Sequence, residues 1–393
     1  MSGIALDRFF CDEASGILDA CTSCGECVRV CPVVPYTSAG DEEPRAVVVG
    51  ILDLLRDPGT DLPKASSDWL NACNGCGLCI EACPENVNPR KMLMIAGTRQ
   101  SERETRTPEL FKKMSRAIKI MVAMQLVPEE FKRLLVSSRT TNPEVVFYTG
   151  CNALRTPHLL FNTMYVLDAL DVSYDVVGGP SSCCGVIGSK WEGKLATGQR
   201  VTENAVRRFG SSRAEKILSW CPTCALHLTE SLNGFVNADL QFDHVTDYIA
   251  AEVRTRPSLF TTPIKRRVVL HGHVGSLQIT QNVEAILNAI PGLEVVETVM
   301  ESSYTCGGSG SSKTPELAAR EHAHLIRRTQ DHKADALITL FHGCHSIFLK
   351  ECIGLDFEVL SFTDPDRPGH GRDAAQGCAE GLPAPERLGA DRR

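Results

Sequence analysis

CNGCGLCIEACP, at residues 73–84, repeats a cysteine spacing that occurs earlier in the chain. The earlier run is CTSCGECVRVCP at residues 21–32, and both runs read C-x2-C-x2-C-x3-C-P. Three thiolates at this spacing surround one [4Fe-4S] cluster, and the fourth cysteine reaches the cluster of the other run. The spacing therefore predicts two [4Fe-4S] clusters, with ligands Cys21, Cys24, Cys27 and Cys83 for the first and Cys73, Cys76, Cys79 and Cys31 for the second.

Small residues inside the runs fit this interpretation. Gly25, Gly75 and Gly77 let the backbone approach inorganic sulfide and donate N–H groups to it. The alternative, a zinc ribbon, needs pairs of C-x2-C rather than two runs of four cysteines. The pattern resembles a bacterial-type two-cluster ferredoxin. The segments EPRAVVVGILDLLRDPG and PKASSDWLNAC, between the runs, predict two helices, as in the alpha-helical ferredoxin of respiratory iron–sulfur subunits.

Composition limits the class of protein. The chain has 393 residues, of which 43% are hydrophobic and 23% are charged, as expected of a core-forming protein with two or three domains. Its net charge of −7 and the lack of a dense basic run argue against a nucleic-acid partner. The 18 cysteines, without a secretory signal, favour metal binding over disulfides. We expect a cytoplasmic protein, with attachment to the inner face of the membrane through partner subunits as a further alternative.

A second group of cysteines follows three predicted strands. PEVVFYTGC, VSYDVVGGPSSCCG and EKILSWCPTC alternate with helical segments. Each ends at one or two members of a set of five cysteines: Cys151, Cys183, Cys184, Cys221 and Cys224. Ligands of open α/β sheets bind at the carboxyl ends of the strands, so this pattern predicts one shared site.

The same order of strands and helices occurs again further along the chain. His273 lies 122 positions after Cys151, Cys306 lies 122 after Cys184, and Cys344 lies 120 after Cys224. A near-constant offset indicates an internal duplication. The second copy has lost cysteines, because His273, Thr305 and Phe341 stand in place of Cys151, Cys183 and Cys221. A site with five thiolates cannot form there.

Three interpretations of the second copy remain open. It is a scaffold, a zinc site, or a pocket for a ligand or a quinone. Four histidines near Cys306 and Cys344 leave room for zinc: His271, His273, His342 and His345. The zinc set that we predict is His273, Cys306, Cys344 and His345.

A single cysteine, then CCG, then C-x2-C at these separations resembles the cysteine-rich CCG domain, which is duplicated in heterodisulfide reductase subunits. The whole order is similar to the fused heterodisulfide reductase type and to the iron–sulfur subunits of glycolate oxidase and anaerobic glycerol-3-phosphate dehydrogenase. The resemblance implies a third cluster, non-cubane or [4Fe-4S], on Cys151, Cys183, Cys184, Cys221 and Cys224. Five soft thiolates suit iron, and Gly185 permits the bend that two adjacent cysteine ligands need.

The expected fold class is an α+β multidomain protein in which a helical two-cluster ferredoxin domain precedes two duplicated α/β CCG domains. The expected boundaries are 1–97 for the ferredoxin domain, 98–142 for a helical connector, 143–262 for the first CCG domain, 263–362 for the degenerate second one and 363–393 for a disordered tail. The connector has an alternative interpretation as a docking face for a partner, with Met114, Met121 and Met124 as adaptable contacts.

The resemblance implies an oxidoreductase subunit that relays electrons through two [4Fe-4S] clusters to the CCG cluster. The implied partner is a flavoprotein dehydrogenase or reductase subunit, and a membrane or quinone-linked subunit is a further candidate. We expect no flavin in this chain, because it has no G-x-G-x-x-G motif. One alternative is a heterodisulfide-reductase-like subunit in which Cys183 and Cys184 are catalytic through their cluster. Another is a non-catalytic metal-binding scaffold. Cys11, Cys352 and Cys378 are interpreted as ordinary thiols.

Overall fold

The computed structural model describes residues 5–103, 109–135, 142–191, 193–236, 241–256, 258–301 and 313–364. Its N-terminal part is helical. The helices are α1 (Leu6–Ala20), α2 (Glu26–Arg29), α3 (Pro44–Arg56), α4 (Lys64–Ala72), α5 (Leu78–Glu81) and α6 (Pro89–Arg103). Helices α3 and α4 confirm the two that the sequence predicts between the cysteine runs. Helix α6 continues across position 97, where we expected the domain boundary.

Helix α3 shows why these segments are helical. Pro44 occupies its first turn, and the Glu43 side chain accepts a hydrogen bond from the Ala46 amide at 3.1 Å. Val47, Ile51 and Leu54 are spaced so that one face is buried against the neighbouring helices.

Two helices connect this part to the sheets, and they are α7 (Leu110–Gln125) and α8 (Pro128–Leu135). The break at Pro128 is as predicted. Ile118, Val122 and Leu134 are buried in the core that also contains the first sheet, which supports the connector interpretation. Met124, on the same helix as Ile118, is 81% exposed.

Two four-stranded sheets of parallel strands follow, with the order β2-β1-β3-β4 in the first and β6-β5-β7-β8 in the second. The strands are β1 (Val145–Gly150), β2 (Tyr174–Gly178), β3 (Lys216–Ser219), β4 (Gln241–His244), β5 (Arg266–His273), β6 (Leu293–Glu301), β7 (Ala336–Thr339) and β8 (Glu358–Ser361). The matching order supports the duplication. The sequence patterns predict three strands in each copy and miss β4 and β8.

The helices beside these sheets are α9 (Pro157–Ala169), α10 (Leu195–Ser212), α11 (Pro222–Leu226), α12 (Val245–Thr255), α13 (Leu277–Asn288), α14 (Pro315–Asp331) and α15 (His342–Glu351). In the described residues, no helix combines the length and apolar character that crossing a membrane requires. Thr363 and Asp364, the first two residues of the tail for which we expect disorder, are described and buried. Residues 365–393 lie outside the described part.

Strand β1 lies between two hydrophobic cores. Val145 and Phe147 face the core that contains the second sheet, whereas Val146 and Tyr148 face the core of the ferredoxin helices. Successive side chains of a strand point to opposite faces of the sheet, so all residues of β1 are buried, with alternate side chains in different cores. The first sheet is therefore packed between the N-terminal helices and the second copy.

Candidate metal centres

The first predicted cysteine quartet lines a single cavity. Its wall includes Cys21, Cys24, Cys27 and Cys83, together with Gly25 and Met92. Gly25 has φ +84°, and a Cβ there would lie 2.8 Å from the Pro44 side chain, so only glycine fits this close approach. Burial and then the neighbouring cysteine sulfurs raise the pKa of Cys27 to about 12. Thiolates in such a setting need a bound cation, which fits the iron of a cluster.

The second quartet also comes together. The sulfurs of Cys73 and Cys76 act electrostatically on Cys31, whose pKa burial raises to about 11. Cys79 has a raised pKa, caused by burial and then by Cys73, Cys76 and Cys31. The Trp69 indole N–H donates to the Cys31 sulfur at 3.4 Å. Hydrogen bonds to ligand sulfur are a recognised influence on cluster potential. This cross-run grouping of Cys31 supports the predicted exchange of fourth ligands.

The five cysteines of the first CCG domain lie at the carboxyl ends of three strands. Cys151 follows β1, the Cys183–Cys184 pair follows β2, and the remaining pair brackets the start of α11 after β3. The exposed fractions are 5% for Cys151, 0% for Cys183, 1% for Cys184, 6% for Cys221 and 3% for Cys224. Cys151 Sγ and Cys183 Sγ are 3.5 Å apart. The backbone also approaches closely, since a Cβ on Gly150 would lie 3.0 Å from Cys224 Sγ.

The charge state of this pocket fits a metal cluster. Hydrogen bonds to Cys183, together with burial, raise the pKa values of Cys151 and Cys184 well above the usual thiol range. His227 is fully buried three positions after Cys224, and neither of its ring nitrogens has a hydrogen-bond partner among the described residues. Burial lowers its pKa to about 4, and Cys183 opposes that shift. Five buried sulfurs beside an unsatisfied histidine are the donor set of a soft metal site.

Gly185, the last residue of the CCG sequence, has a backbone conformation that favours glycine. Its φ is +92°, and a Cβ there would overlap Thr202 Oγ1 and lie 2.6 Å from the Gly198 carbonyl oxygen. Gly185→Ala should therefore destabilise the chain by about 1–2 kcal/mol from backbone strain alone. The displaced CCG loop should also lower the iron bound by this domain. Thermal unfolding and iron determination measure the two effects.

Gly210 provides the matched control. It lies in α10 with no atom within 4 Å of an added Cβ, and its φ is not positive. Gly210→Ala should raise stability by about 0.5–1 kcal/mol, because alanine is the better helix former. Equal effects of the two substitutions on stability and iron would contradict the role assigned to Gly185.

In the second copy, His271 and His273 lie on the same face of β5, and Cys344 lies in the first turn of α15. One ligand atom from each of the three lies within 4.8 Å of the others. The Glu301 carboxylate and the Cys344 sulfur raise the pKa of His271 to about 10, although burial opposes the shift. Phe341, in the position of Cys221, stacks on His273 with ring centroids 5.4 Å apart.

The predicted zinc set is only partly brought together. His345 lies apart from this group, with Nδ1 3.3 Å from Thr339 Oγ1 and its ring beside His158. His342 Nε2 contacts Asn152 of the first domain at 3.2 Å. Cys306 and Thr305 lie outside the described residues. His271 takes the place that we assigned to His345. The sequence contains a pattern that could have identified His271, because HGH at the end of a strand places two imidazoles on one face.

Comparison with known proteins agrees with this architecture. Residues 17–87 match the family model of the 4Fe-4S dicluster domain. Residues 145–229 and 271–348 each match the model of the cysteine-rich CCG domain. The second match covers the copy that has lost cysteines, so the domain is recognisable without its complete ligand set.

Three curated relatives cover most of the chain. A subunit of the dihydromethanophenazine:CoB–CoM heterodisulfide reductase of Methanosarcina acetivorans is 24% identical over 388 residues, covering 87% of this chain and 91% of the relative. A subunit of the CoM/CoB fumarate reductase of Methanothermobacter marburgensis is 26% identical over 354 residues, covering 83% and 66%. The glycolate oxidase iron-sulfur subunit of Escherichia coli is 24% identical over 376 residues, covering 85% and 90%. The chain therefore has one 4Fe-4S dicluster domain followed by two cysteine-rich CCG domains, and it is similar over most of its length to iron–sulfur subunits of oxidoreductases.

Proposed function

We propose that the chain is the electron-transfer subunit of an oxidoreductase complex and that it carries three iron–sulfur clusters. Two [4Fe-4S] clusters would use the quartets of the dicluster domain, and the third would use the five cysteines of the first CCG domain. Iron–sulfur clusters supply one-electron chemistry when they are bound. The residues of the chain hold these centres near one another and exclude water from the third.

The observation that carries this proposal is the contact made by Arg90 of α6. Its Nη1 donates to the Gly75 carbonyl oxygen at 2.9 Å, inside the loop of the second cysteine run. Its Nε donates to Glu230 Oε1 at 2.9 Å, and its Nη2 also contacts that carboxylate. Glu230 lies six positions after Cys224. One half-buried arginine therefore joins the second-cluster loop to the segment that follows the last CCG ligand.

The shared core supports the same arrangement. All five CCG cysteines belong to the hydrophobic core that also contains Val28, Val48 and Trp69 of the dicluster domain. Apolar packing of this kind gives a fixed separation between the two metal-binding regions. An apolar core shared by the two regions suits electron transfer and has no role in a scaffold that only stores metal.

Burial favours a relay over catalysis at the CCG cluster. Cys183 and Cys184 are 0% and 1% exposed, so a disulfide substrate has no direct approach to either sulfur in the described structure. The second copy lacks the five-cysteine set, which removes a second site of the same kind. Both observations support transfer of electrons to or from a partner subunit.

We infer that the partner is a flavoprotein dehydrogenase subunit. One relative is by name the iron-sulfur subunit of an oxidase. A face of α7 supports docking: Ile120 and Met124 are 53% and 81% exposed beside a groove lined by basic side chains. The basic residues of this groove are Lys112, Arg116, Lys119, Lys194 and Arg200. Such a face would suit a partner whose docking surface is acidic at its rim and apolar at its centre.

Arg90→Gln tests the bridge between the domains. The substitution breaks a half-buried ion pair, with side chains 16% and 22% exposed, and leaves Glu230 without its guanidinium. We expect a loss of about 1–3 kcal/mol in stability. We also expect slower reduction of the CCG centre after rapid mixing with reduced methyl viologen, followed by freeze-quench EPR, with unchanged total iron.

Arg103→Gln is the control, because Arg103 lies on the same helix and pairs with the exposed Asp61. It should leave stability and the rate of CCG reduction near wild-type values. Wild-type rates in Arg90→Gln, at wild-type iron content, would show that the bridge does not position the electron path.

A further inference from the structure

We propose that the second CCG domain binds one zinc ion through His271, His273 and Cys344, and that Glu301 positions His271. This site has replaced the iron–sulfur site of the first copy. It is independent of the proposed relay, because none of these residues belongs to the three cluster-binding sets.

The three ligands converge from two secondary-structure elements. His271 and His273 are two positions apart on β5 and therefore point to one side of the sheet. Cys344 enters from the start of α15. His273 Nε2 and Cys344 Sγ are 3.3 Å apart. Tetrahedral zinc, with Zn–N of about 2.0–2.1 Å and Zn–S of about 2.3 Å, requires a nitrogen-to-sulfur distance of about 3.6 Å. A small adjustment of side chains would accommodate the ion.

Glu301 orients one of the histidines. His271 Nε2 is 2.7 Å from Glu301 Oε2, and both side chains are almost fully buried, at 0% and 2% exposed. The His271 ring also makes a hydrogen bond with the Cys344 sulfur, so Glu301 uses Nε2 and Nδ1 remains for the ligand group. Histidines that bind zinc commonly use one ring nitrogen for the metal and the other for a carboxylate. His271 and Glu301 have this arrangement.

Charge balance favours a divalent cation. Metal binding displaces protons from its ligands, so in the zinc-bound site a Cys344 thiolate and a Glu301 carboxylate contribute two negative charges and both imidazoles are neutral. One Zn²⁺ ion makes this group neutral, whereas uncompensated buried charge is costly. The described part of the site holds one sulfur and two nitrogens, and the Phe341 ring lies against His273. This donor set suits zinc better than an iron–sulfur cluster.

The test begins with the full-length chain, produced without a histidine tag and purified anaerobically. We expect about one zinc per chain by mass spectrometry, in addition to iron. Zinc-edge X-ray absorption, which is free of interference from the iron, should show sulfur at about 2.3 Å and nitrogen at about 2.0–2.1 Å. Absence of zinc, or a zinc edge with no sulfur neighbour, would overturn the proposal.

Variants then assign the ligands. Cys344→Ser and His271→Asn should lose zinc but keep wild-type iron, whereas His345→Asn, in the same helix as Cys344, should keep both. Glu301→Gln should retain a site that binds zinc about 10–100-fold more weakly in competition with a chelator. Retention of zinc at wild-type affinity by Cys344→Ser would also overturn the assignment. If the ligand variants do not fold, the zinc-edge spectrum of the wild-type chain still tests the proposal, because it shows whether the zinc has a sulfur neighbour.

Discussion

Cys184→Ser is expected to remove about four of about twelve irons from the anaerobically reconstituted chain. Cys184 is 1% exposed and hydrogen-bonded to the sulfurs of both Cys183 and Cys224, at the middle of the five-cysteine pocket. Serine is nearly isosteric, but it offers a hard oxygen where iron needs a soft thiolate. EPR should show loss of the CCG-centre signal, while the signals of the two dicluster centres remain. Electron transfer to a partner should fall to background.

Cys352→Ser is the matched control for this experiment. Cys352 is also buried, in the second copy, but it lies outside every cysteine group of the described structure. We expect wild-type iron and wild-type EPR signals from this variant. If Cys184→Ser also keeps the full iron content and all signals, the assignment of a cluster to the first CCG domain fails.

Cys83→Ala is the second variant with a large expected effect. Cys83 belongs to the second cysteine run, yet it lines the cavity of Cys21, Cys24 and Cys27. Its loss should therefore remove the first cluster and about four irons, and leave the second cluster in place. Because this interrupts the chain of centres, the overall rate of electron transfer through the subunit should fall by orders of magnitude while the CCG-centre signal stays intact.

Cys31→Ala is the reciprocal variant. Cys31 lies in the first run but interacts with Cys73, Cys76 and Trp69. Its replacement should therefore remove the second cluster and leave the first in place. EPR spectra and redox titration of the two variants would distinguish the clusters. If Cys83→Ala removed the second cluster and Cys31→Ala removed the first, each run would use its own four cysteines and the exchange of ligands would be wrong.

Local patterns in the sequence predicted which cysteines lie together and that the CCG domain is duplicated. The C-x2-C-x2-C-x3-C-P runs have a spacing fixed by the ligand geometry of a cluster, so few other structures use it. Strand β1 was found because VVFYTG is strongly β-forming and buried. Strands β4 and β8 were missed, since QFDH and EVLS have only four residues each and little periodicity.

Contacts between residues that are far apart in the sequence could not be predicted from a single sequence. Arg90 and Glu230 are 140 positions apart, and neither stands in a motif. Gly275 packs so closely on the second-cluster loop that a Cβ would lie 2.9 Å from Cys76 Cα, yet the sequence shows only an isolated glycine. Such contacts depend on how the domains pack, which the periodicity of individual strands and helices does not encode.

The central claim is that the first CCG domain holds a third cluster in electronic contact with the dicluster domain. Determination of iron and acid-labile sulfide in the anaerobically reconstituted wild-type chain, with EPR during a reductive titration, tests it most directly. We predict about twelve irons per chain and three distinguishable centres, with the magnetic interaction expected between neighbouring clusters. A count of about eight irons, with only the two dicluster centres visible, would contradict it.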